Sequence, residues 1–177
     1  MLRTRVGYAG GTTARPTYRS IGDHSEAIEI DFDPEVISFK ELTQVFFESH
    51  NACASPWSTQ YRSAAFPRDA EQRRILEATK REAADLAGTQ VLTAIEDFSG
   101  FTLAEDYHQK YKLRRIARAV NEFAELFPTT ESFLGSVAVT KANALVGGAL
   151  SAGAFGGDLR ALGLSPEATA AVARASR

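Results

Sequence analysis

A glutamate on an apolar strand face is the first residue of this sequence that could do chemistry. Glu26 alternates with Ile28, Ile30 and Phe32, so the four side chains share the strand face expected to be buried. A carboxyl group desolvated there can hold a proton near neutral pH and act as a general acid. The alternative is a Glu26 at the frayed start of the strand, where alternation has no meaning.

Two tyrosines in predicted strands are candidate hydrogen-bond donors. Tyr8 belongs to an alternating segment that starts at Leu2 and stops at the Gly10-Gly11 pair, and Tyr61 lies in the segment STQYRSAAF. A buried phenolic hydroxyl needs a partner, so each tyrosine could bind a substrate oxygen or cap a core. The glycine pair predicts a turn and not a phosphate loop, because no helix follows it.

Cys53 is the only cysteine of the sequence, which excludes an intramolecular disulfide and favours a reducing, cytoplasmic compartment. It follows a predicted helix C-terminus, where the helix dipole disfavours a thiolate. Three interpretations stay open: a nucleophile, a resolving thiol for another cysteine, or an incidental residue. The three histidines, His24, His50 and His108, lack the spacing of metal ligands, so we predict no metal site.

The composition excludes several classes of protein. With 177 residues, 44% of them hydrophobic and 24% charged, the chain suits one globular domain with a core and a helical appendage. The net charge of −2 gives no reason to expect nucleic acid or an anionic membrane as a partner. No stretch reaches the ~18 apolar residues of a membrane-spanning helix.

Strands and helices alternate in the predicted order of elements, which is typical of an α+β sandwich. The prediction comprises a strand ending at Gly10-Gly11, a strand over residues 26–33, a helix opened by the Ser38 and Glu41 capping box, a strand in STQYRSAAF, a helix from Asp69 to Gly88, and a short strand over residues 91–95. The apolar stripe of the first helix comprises Phe39, Leu42, Val45 and Phe46.

The composition changes after residue 113. Residues 114–127 have helical spacing that stops at Pro128, and the Ala- and Gly-rich segment 147–157 predicts a loop or a weak helix. Ser165 followed by Pro166 predicts the start of a final short helix. We therefore predict a domain over residues 1–113 and a helical, Ala- and Gly-rich extension over residues 114–177, packed against it.

Three segments resemble the methionine sulfoxide reductase A family over residues 2–113: YAGGTTARPTYRSIGDHSEAI, STQYRSAAF and AEDYHQKY. The resemblance implies an α+β fold, a two-layer sandwich of a mixed sheet with helices and a ferredoxin-like core. It also implies reduction of Met-(S)-sulfoxide, in oxidised proteins or as the free amino acid. The electrons would come from a thioredoxin-like dithiol protein, with no metal or organic cofactor.

The resemblance also assigns roles to residues. In the segment His24-Ser25-Glu26-Ala27, Glu26 matches the proposed acid of the family, while Tyr8 and Tyr61 match donors to the sulfoxide oxygen. Asp106 and His108 match a segment that braces the site by hydrogen bonds.

One loop departs from the family pattern. Where the family has Gly-Asn-Asp before Thr-Gln-Tyr, this chain has Ser55-Pro56-Trp57-Ser58, so an acidic group is absent from that place. Trp57 could supply the apolar wall for the substrate methyl group, or could be a loop residue that covers the second layer.

The family's Gly-Cys-Phe-Trp-Gly turn, which bears the nucleophilic thiol, is absent. We therefore expect a truncated or divergent member that lacks its first strand and helix, with Met1 at the place of an internal Val, and we expect this chain to be inactive. The rival hypotheses are a non-catalytic homologue that binds sulfoxide or packs against a partner, and a C-terminal fragment with an exposed sheet edge. A retained sulfoxide site predicts that Glu26, Tyr8 and Tyr61 converge on one pocket, with Glu26 buried and Trp57 near the rim.

Overall fold

The computed structural model describes residues 2–151, 153 and 159–176, and it divides into two compact units. The first unit comprises Val6–Ala104, and the second comprises Leu2–Arg5 together with the chain from Glu105 onward. The division into domains at residues 113 and 114 remains a prediction. Part of the predicted Ala- and Gly-rich segment, residues 152 and 154–157, lies outside the described residues.

The chain alternates strands and helices up to the end of the first unit. In order they are β1 (Arg3–Ala9), β2 (Ser25–Asp31), α1 (Phe39–Glu48), a three-ten turn (Thr59–Tyr61), β3 (Ala64–Ala65), α2 (Ala70–Ala87), β4 (Ala94–Ile95) and β5 (Phe101–Leu103). The strands form a sheet of order β2-β1-β5 and a separate β3-β4 pair. β1 and β5 are antiparallel, with Tyr8 opposite Thr102, whereas β3 and β4 are parallel. The predicted α+β class is confirmed.

Local capping signals mark the start of α1 and both ends of α2 where the sequence predicts them. The Ser38 hydroxyl accepts from Glu41 N at 3.2 Å while the Glu41 carboxylate accepts from Ser38 N at 2.8 Å, which completes the capping box of α1. Asp69 accepts from Gln72 N at 2.7 Å at the start of α2, and Gly88 ends that helix at φ 63°. These bonds satisfy backbone groups that a helix end leaves without partners.

The core of the first unit lies around α1 and α2. Its buried side chains are Phe47, Ala52, Leu76 and Val91. Thr43 of α1 and Thr79 of α2 are also buried, and their hydroxyls are 3.1 Å apart, so the helix pair includes a satisfied polar contact.

The predicted strand in STQYRSAAF is only partly correct. Tyr61 N donates to Ser58 O and Arg62 N donates to Thr59 O, which are the bonds of a three-ten turn. Extended pairing is confined to the two residues of β3. Tyr61 therefore projects from a turn and not from a sheet.

The second unit is helical. It contains a three-ten turn (Leu113–Arg115), α3 (Ala117–Leu126), α4 (Thr130–Gly135), α5 (Val137–Val146), a three-ten turn (Leu159–Leu162) and α6 (Pro166–Ala175). The end of α3 before Pro128 and the start of α6 at Ser165 agree with the sequence prediction, whereas α4 and α5 were not predicted. Among the described helices, none has both the length and the apolar character needed to cross a membrane.

Candidate functional site

A large open cavity lies within the first unit, with a volume of about 1260 Å³. One wall is formed by Ile28 and Ile30 of β2 with Phe32 just after the strand, and another by the apolar stripe of α1. These faces look like core surfaces in the sequence, yet Ile28 and Val45 are 57% and 55% exposed. The apolar faces that the sequence predicts to be buried therefore line a cavity.

Glu26 lies at this cavity, but it is not buried as predicted. Its side chain is exposed, because the strand face that it shares with Ile28 is open to the cavity. The residue before it, Ser25, is 1% exposed, so burial on β2 has the opposite parity at this end. The desolvation on which the prediction of a proton-holding carboxyl rested is absent.

Gln60 joins the predicted acid to a predicted oxygen donor. Its Nε2 donates to Glu26 Oε1 at 2.7 Å and to the Tyr61 hydroxyl at 3.1 Å. Trp57 stacks on the Tyr61 ring with 4.6 Å between the ring centroids, and Glu26, Trp57 and Tyr61 all line the cavity. The sequence analysis missed Gln60, although its place beside Tyr61 in a polar segment was a usable signal.

Tyr18 is the second tyrosine of this cluster. A hydrogen bond with Tyr18 is the main cause that raises the pKa of the Tyr61 phenol, with further contributions from desolvation and the charge of Glu26. Tyr18 lies at the tip of a short hairpin, in which Thr17 and Ser20 exchange backbone hydrogen bonds of 3.2 and 3.0 Å. Such a turn leaves a phenolic hydroxyl exposed, and Tyr18 is 41% exposed.

The prediction that Tyr8 joins this pocket is wrong. Tyr8 is in β1, between β2 and β5, and it is only 2% exposed. It does not line the cavity. A tyrosine in a central strand is flanked by a strand on each side, whereas Tyr18 lies at a turn and is exposed. The sequence signal that could have distinguished the two tyrosines was the local structure around each: a strand at Tyr8 and a turn at Tyr18.

The segment that leads to Tyr18 is held by Asp23. Its carboxylate accepts four hydrogen bonds of 2.7–2.9 Å from the backbone and hydroxyl groups of Thr12 and Thr13. These bonds, led by those from Thr13, hold the pKa of Asp23 well below its usual range. The segment begins at Gly10, whose φ of 76° confirms the predicted turn.

His24 contacts the same segment near its start, at Gly11 and Thr13. Gly11 N lies 3.3 Å from His24 Nδ1, and His24 Nε2 lies 2.9 Å from Thr13 O. A backbone N–H can only donate and a carbonyl can only accept, so the neutral ring with its hydrogen on Nε2 satisfies both contacts. The buried His24 is thus a structural residue next to the site.

A second network fixes the turn that bears Tyr61. The Ser25 hydroxyl donates to Thr59 O at 2.8 Å and accepts from Arg62 Nε at 2.8 Å. Arg62 binds Glu96 through both terminal nitrogens, with 2.7 Å between Nη2 and Oε2. This bidentate contact raises the pKa of Arg62, so its charge is retained. The network ties the start of β2 to the turn.

The remaining predicted site residues lie elsewhere. Cys53 is half-buried, packs against the core of the first unit and does not line the cavity. Asp106 and His108 belong to the second unit, where the centroids of the His108 and Tyr107 rings are 4.2 Å apart. Their bracing role remains a prediction. Within the described residues, no group of three or more histidine, cysteine or acidic side chains is placed to hold a metal ion.

Comparison of the sequence with known proteins points to one family. A family model described as peptide methionine sulfoxide reductase matches residues 1–134. The chain is 38% identical to a peptide methionine sulfoxide reductase of Drosophila melanogaster over 94% of this chain and 67% of that protein. It is 36% identical to peptide methionine sulfoxide reductase A5 of Arabidopsis thaliana over 65% of this chain and 48% of that protein. The chain thus spans between about half and two thirds of these relatives.

Solved structures show the same likeness. Mxr1 from Saccharomyces cerevisiae in reduced form superposes with a TM-score of 0.58 and 31% identity, over 61% of this chain and 68% of that one. Methionine sulfoxide reductase A of Corynebacterium diphtheriae superposes with a TM-score of 0.52 and 29% identity, over 65% of this chain and 64% of that one.

Proposed function

The chain belongs to the peptide methionine sulfoxide reductase family, and we propose that the cluster around Glu26 and Tyr61 binds the sulfoxide group of methionine-(S)-sulfoxide. The observation that supports this is the hydrogen-bonded arrangement of Glu26, Gln60, Tyr61 and Tyr18 beside an apolar cavity. A sulfoxide is a polar oxygen on a sulfur with two apolar substituents. Hydrogen-bond donors next to an apolar wall fit both parts.

Each group has a role in this proposal. Tyr61 and Tyr18 donate to the sulfoxide oxygen, and Glu26 lies beside them, bound to Gln60. The exposed face of Trp57 covers the methyl group. Oxygen transfer also requires a thiol: its sulfur attacks the sulfoxide sulfur, the product is a thioether, and the thiol becomes a sulfenic acid. Two further thiols then reduce the sulfenic acid back to the thiol, giving a disulfide and water.

The source of that thiol separates two candidate functions. In the reductase, a thiolate reaches the cavity and a dithiol protein of the thioredoxin type regenerates it, with oxidised proteins or free methionine sulfoxide as substrate. Cys53, the only cysteine of this sequence, packs against the core of the first unit and does not line the cavity. This position of Cys53 favours a second candidate function for this chain, which is sulfoxide binding without turnover. A single cysteine supports a reducing compartment, and we propose the cytoplasm.

Trp57 provides the test of binding, because it is the only tryptophan and stacks on Tyr61. N-acetyl-L-methionine-(S)-sulfoxide should change its fluorescence in a saturable way, and N-acetyl-L-methionine should not. Tyr18→Phe should weaken binding about tenfold, since it removes one hydrogen-bond donor from the oxygen site.

The matched control is Tyr8→Phe, which should bind with unchanged affinity because Tyr8 is buried away from the cavity. Equal affinity for the thioether and the sulfoxide would contradict the proposed function.

A further inference from the structure

We propose that Gln60 is a positioning residue that directs the hydroxyl hydrogen of Tyr61 toward the sulfoxide oxygen. The inference rests on the proposed function, since it deepens the account of the same site. Gln60 Nε2 lies 2.7 Å from Glu26 Oε1 and 3.1 Å from the Tyr61 hydroxyl oxygen. One side chain therefore contacts both Glu26 and the Tyr61 hydroxyl.

The chemistry of the amide fixes which partner donates in each of these two contacts. A side-chain amide nitrogen has two hydrogens and accepts none. Each hydrogen of Gln60 Nε2 goes to one oxygen, so Glu26 Oε1 and the Tyr61 hydroxyl are both acceptors toward Gln60.

The Tyr61 hydroxyl is left to donate its own hydrogen elsewhere. Without ligand, Tyr18 and Glu26 are its partners, and hydrogen bonds with both raise the pKa of Tyr61, that with Tyr18 the more. A sulfoxide oxygen between the two tyrosines would receive it instead.

The backbone holds Gln60 in this position. Gln60 is the middle residue of the turn Thr59–Tyr61 and is half-buried. The Ser25 hydroxyl donates to Thr59 O at 2.8 Å, and Ser25 directly precedes Glu26. The strand end and the turn are therefore linked at the backbone next to the amide contact. A short amide between two fixed segments has few alternative orientations, so little entropy is lost when it binds both oxygens.

The test is an alkaline titration of Tyr61 in Gln60→Met, which keeps the length of the side chain and removes both donors. A donor to a phenolic oxygen stabilises the phenolate, so its loss should raise the pKa of Tyr61 further. Gln60→Glu should raise it more, because a negative charge is added. The titration is followed by NMR of 13C-labelled tyrosine, with the Tyr61 signal identified by its loss in Tyr61→Phe.

Gln90→Glu is the matched control, because Gln90 is exposed and lies outside the cavity lining, and it should leave the Tyr61 titration unchanged. In the fluorescence assay Gln60→Met should weaken binding of N-acetyl-L-methionine-(S)-sulfoxide about tenfold. Circular dichroism establishes that each variant is folded. If Gln60→Met does not fold, Gln60→Glu supports the same titration.

The outcomes separate this inference from the proposed function. A Tyr61 titration that is unchanged in both Gln60 variants overturns the role of Gln60, whether or not the protein binds sulfoxide. A wild-type protein that binds no sulfoxide, but whose Tyr61 titration responds to Gln60, contradicts the proposed function and leaves the control of Tyr61 by Gln60 in place. An affinity that is unchanged in Gln60→Met also overturns the inference.

Discussion

The carboxylate of Asp23 shows how one exposed residue can organise a site that it does not enter. Its four hydrogen bonds with Thr12 and Thr13 hold the segment that continues to Tyr18. Because those bonds favour the charged form, the pKa of Asp23 is lower in the folded protein than its ordinary 3.8. The stabilisation is therefore fully present above pH 3.8 and is lost as the pH falls through the folded value.

Asp23→Asn should release the segment at neutral pH, because an amide has one acceptor oxygen in place of two. We expect the backbone amides of Thr12 and Thr13 to exchange hydrogen faster in the variant, and we expect the difference from wild type to shrink in acid. Amide exchange measured by NMR checks this. Asp33→Asn is the control, since Asp33 accepts one backbone N–H, from Glu35, at 3.0 Å. Identical exchange in wild type and Asp23→Asn at neutral pH would contradict the role of Asp23.

Where a helix ends depends on residues close in sequence, and Gly88 ends α2 because it adopts a left-handed backbone conformation. Its φ is 63°, and no atom lies within 4 Å of the position that a Cβ would occupy. Gly88→Ala should therefore cost about 1 kcal/mol through backbone strain alone. Gly88→Asn should cost less, because Asn tolerates this conformation better than Ala. Urea unfolding followed by Trp57 fluorescence measures both, and equal stability of Gly88→Ala and wild type would refute the argument.

The second unit contains a buried lysine whose charge acts on stability. Lys110 is 5% exposed, and its Nζ donates to Thr4 O, Thr4 Oγ1 and Thr140 Oγ1 at 2.9, 3.0 and 2.8 Å. Desolvation, with a smaller contribution from Arg5, lowers the pKa of Lys110 to about 8 from 10.5. Between these two values the unfolded chain binds more protons than the folded one, so the contribution of Lys110 to stability rises with pH.

Lys110→Met should remove that rise, because it keeps the aliphatic stem and has no titrating group. The free energy of unfolding of wild type minus that of the variant should increase from about pH 8 to pH 10.5 and should be flat below this range. Urea unfolding across this range provides the measurement. Groups that are common to both proteins cancel in the difference, so parallel curves for the two would show that Lys110 titrates at its ordinary value.

The chain as printed should show little or no reductase activity. In the proposed site Tyr18 and Tyr61 bind the sulfoxide oxygen, but transfer of that oxygen needs a thiol at the sulfur, and Cys53 packs against the core. With dithiothreitol and racemic methionine sulfoxide, we expect no selective loss of the S epimer. Turnover that disappears in Cys53→Ser would contradict this and make Cys53 the nucleophile.

The sequence by itself determined the features that depend on near neighbours along the chain. Alternation predicts β1 and β2, capping residues predict the start of α1 and both ends of α2, and the peptide motifs predict the family and its α+β class. Only the tertiary structure decided which side chains meet. Glu26 and Gln60 are 34 residues apart in sequence, and their contact depends on the turn that displaced a predicted strand. Burial likewise depends on what packs across a face, so the apolar face of β2 lines a cavity, and Tyr18 contacts Tyr61 where the sequence analysis had placed Tyr8.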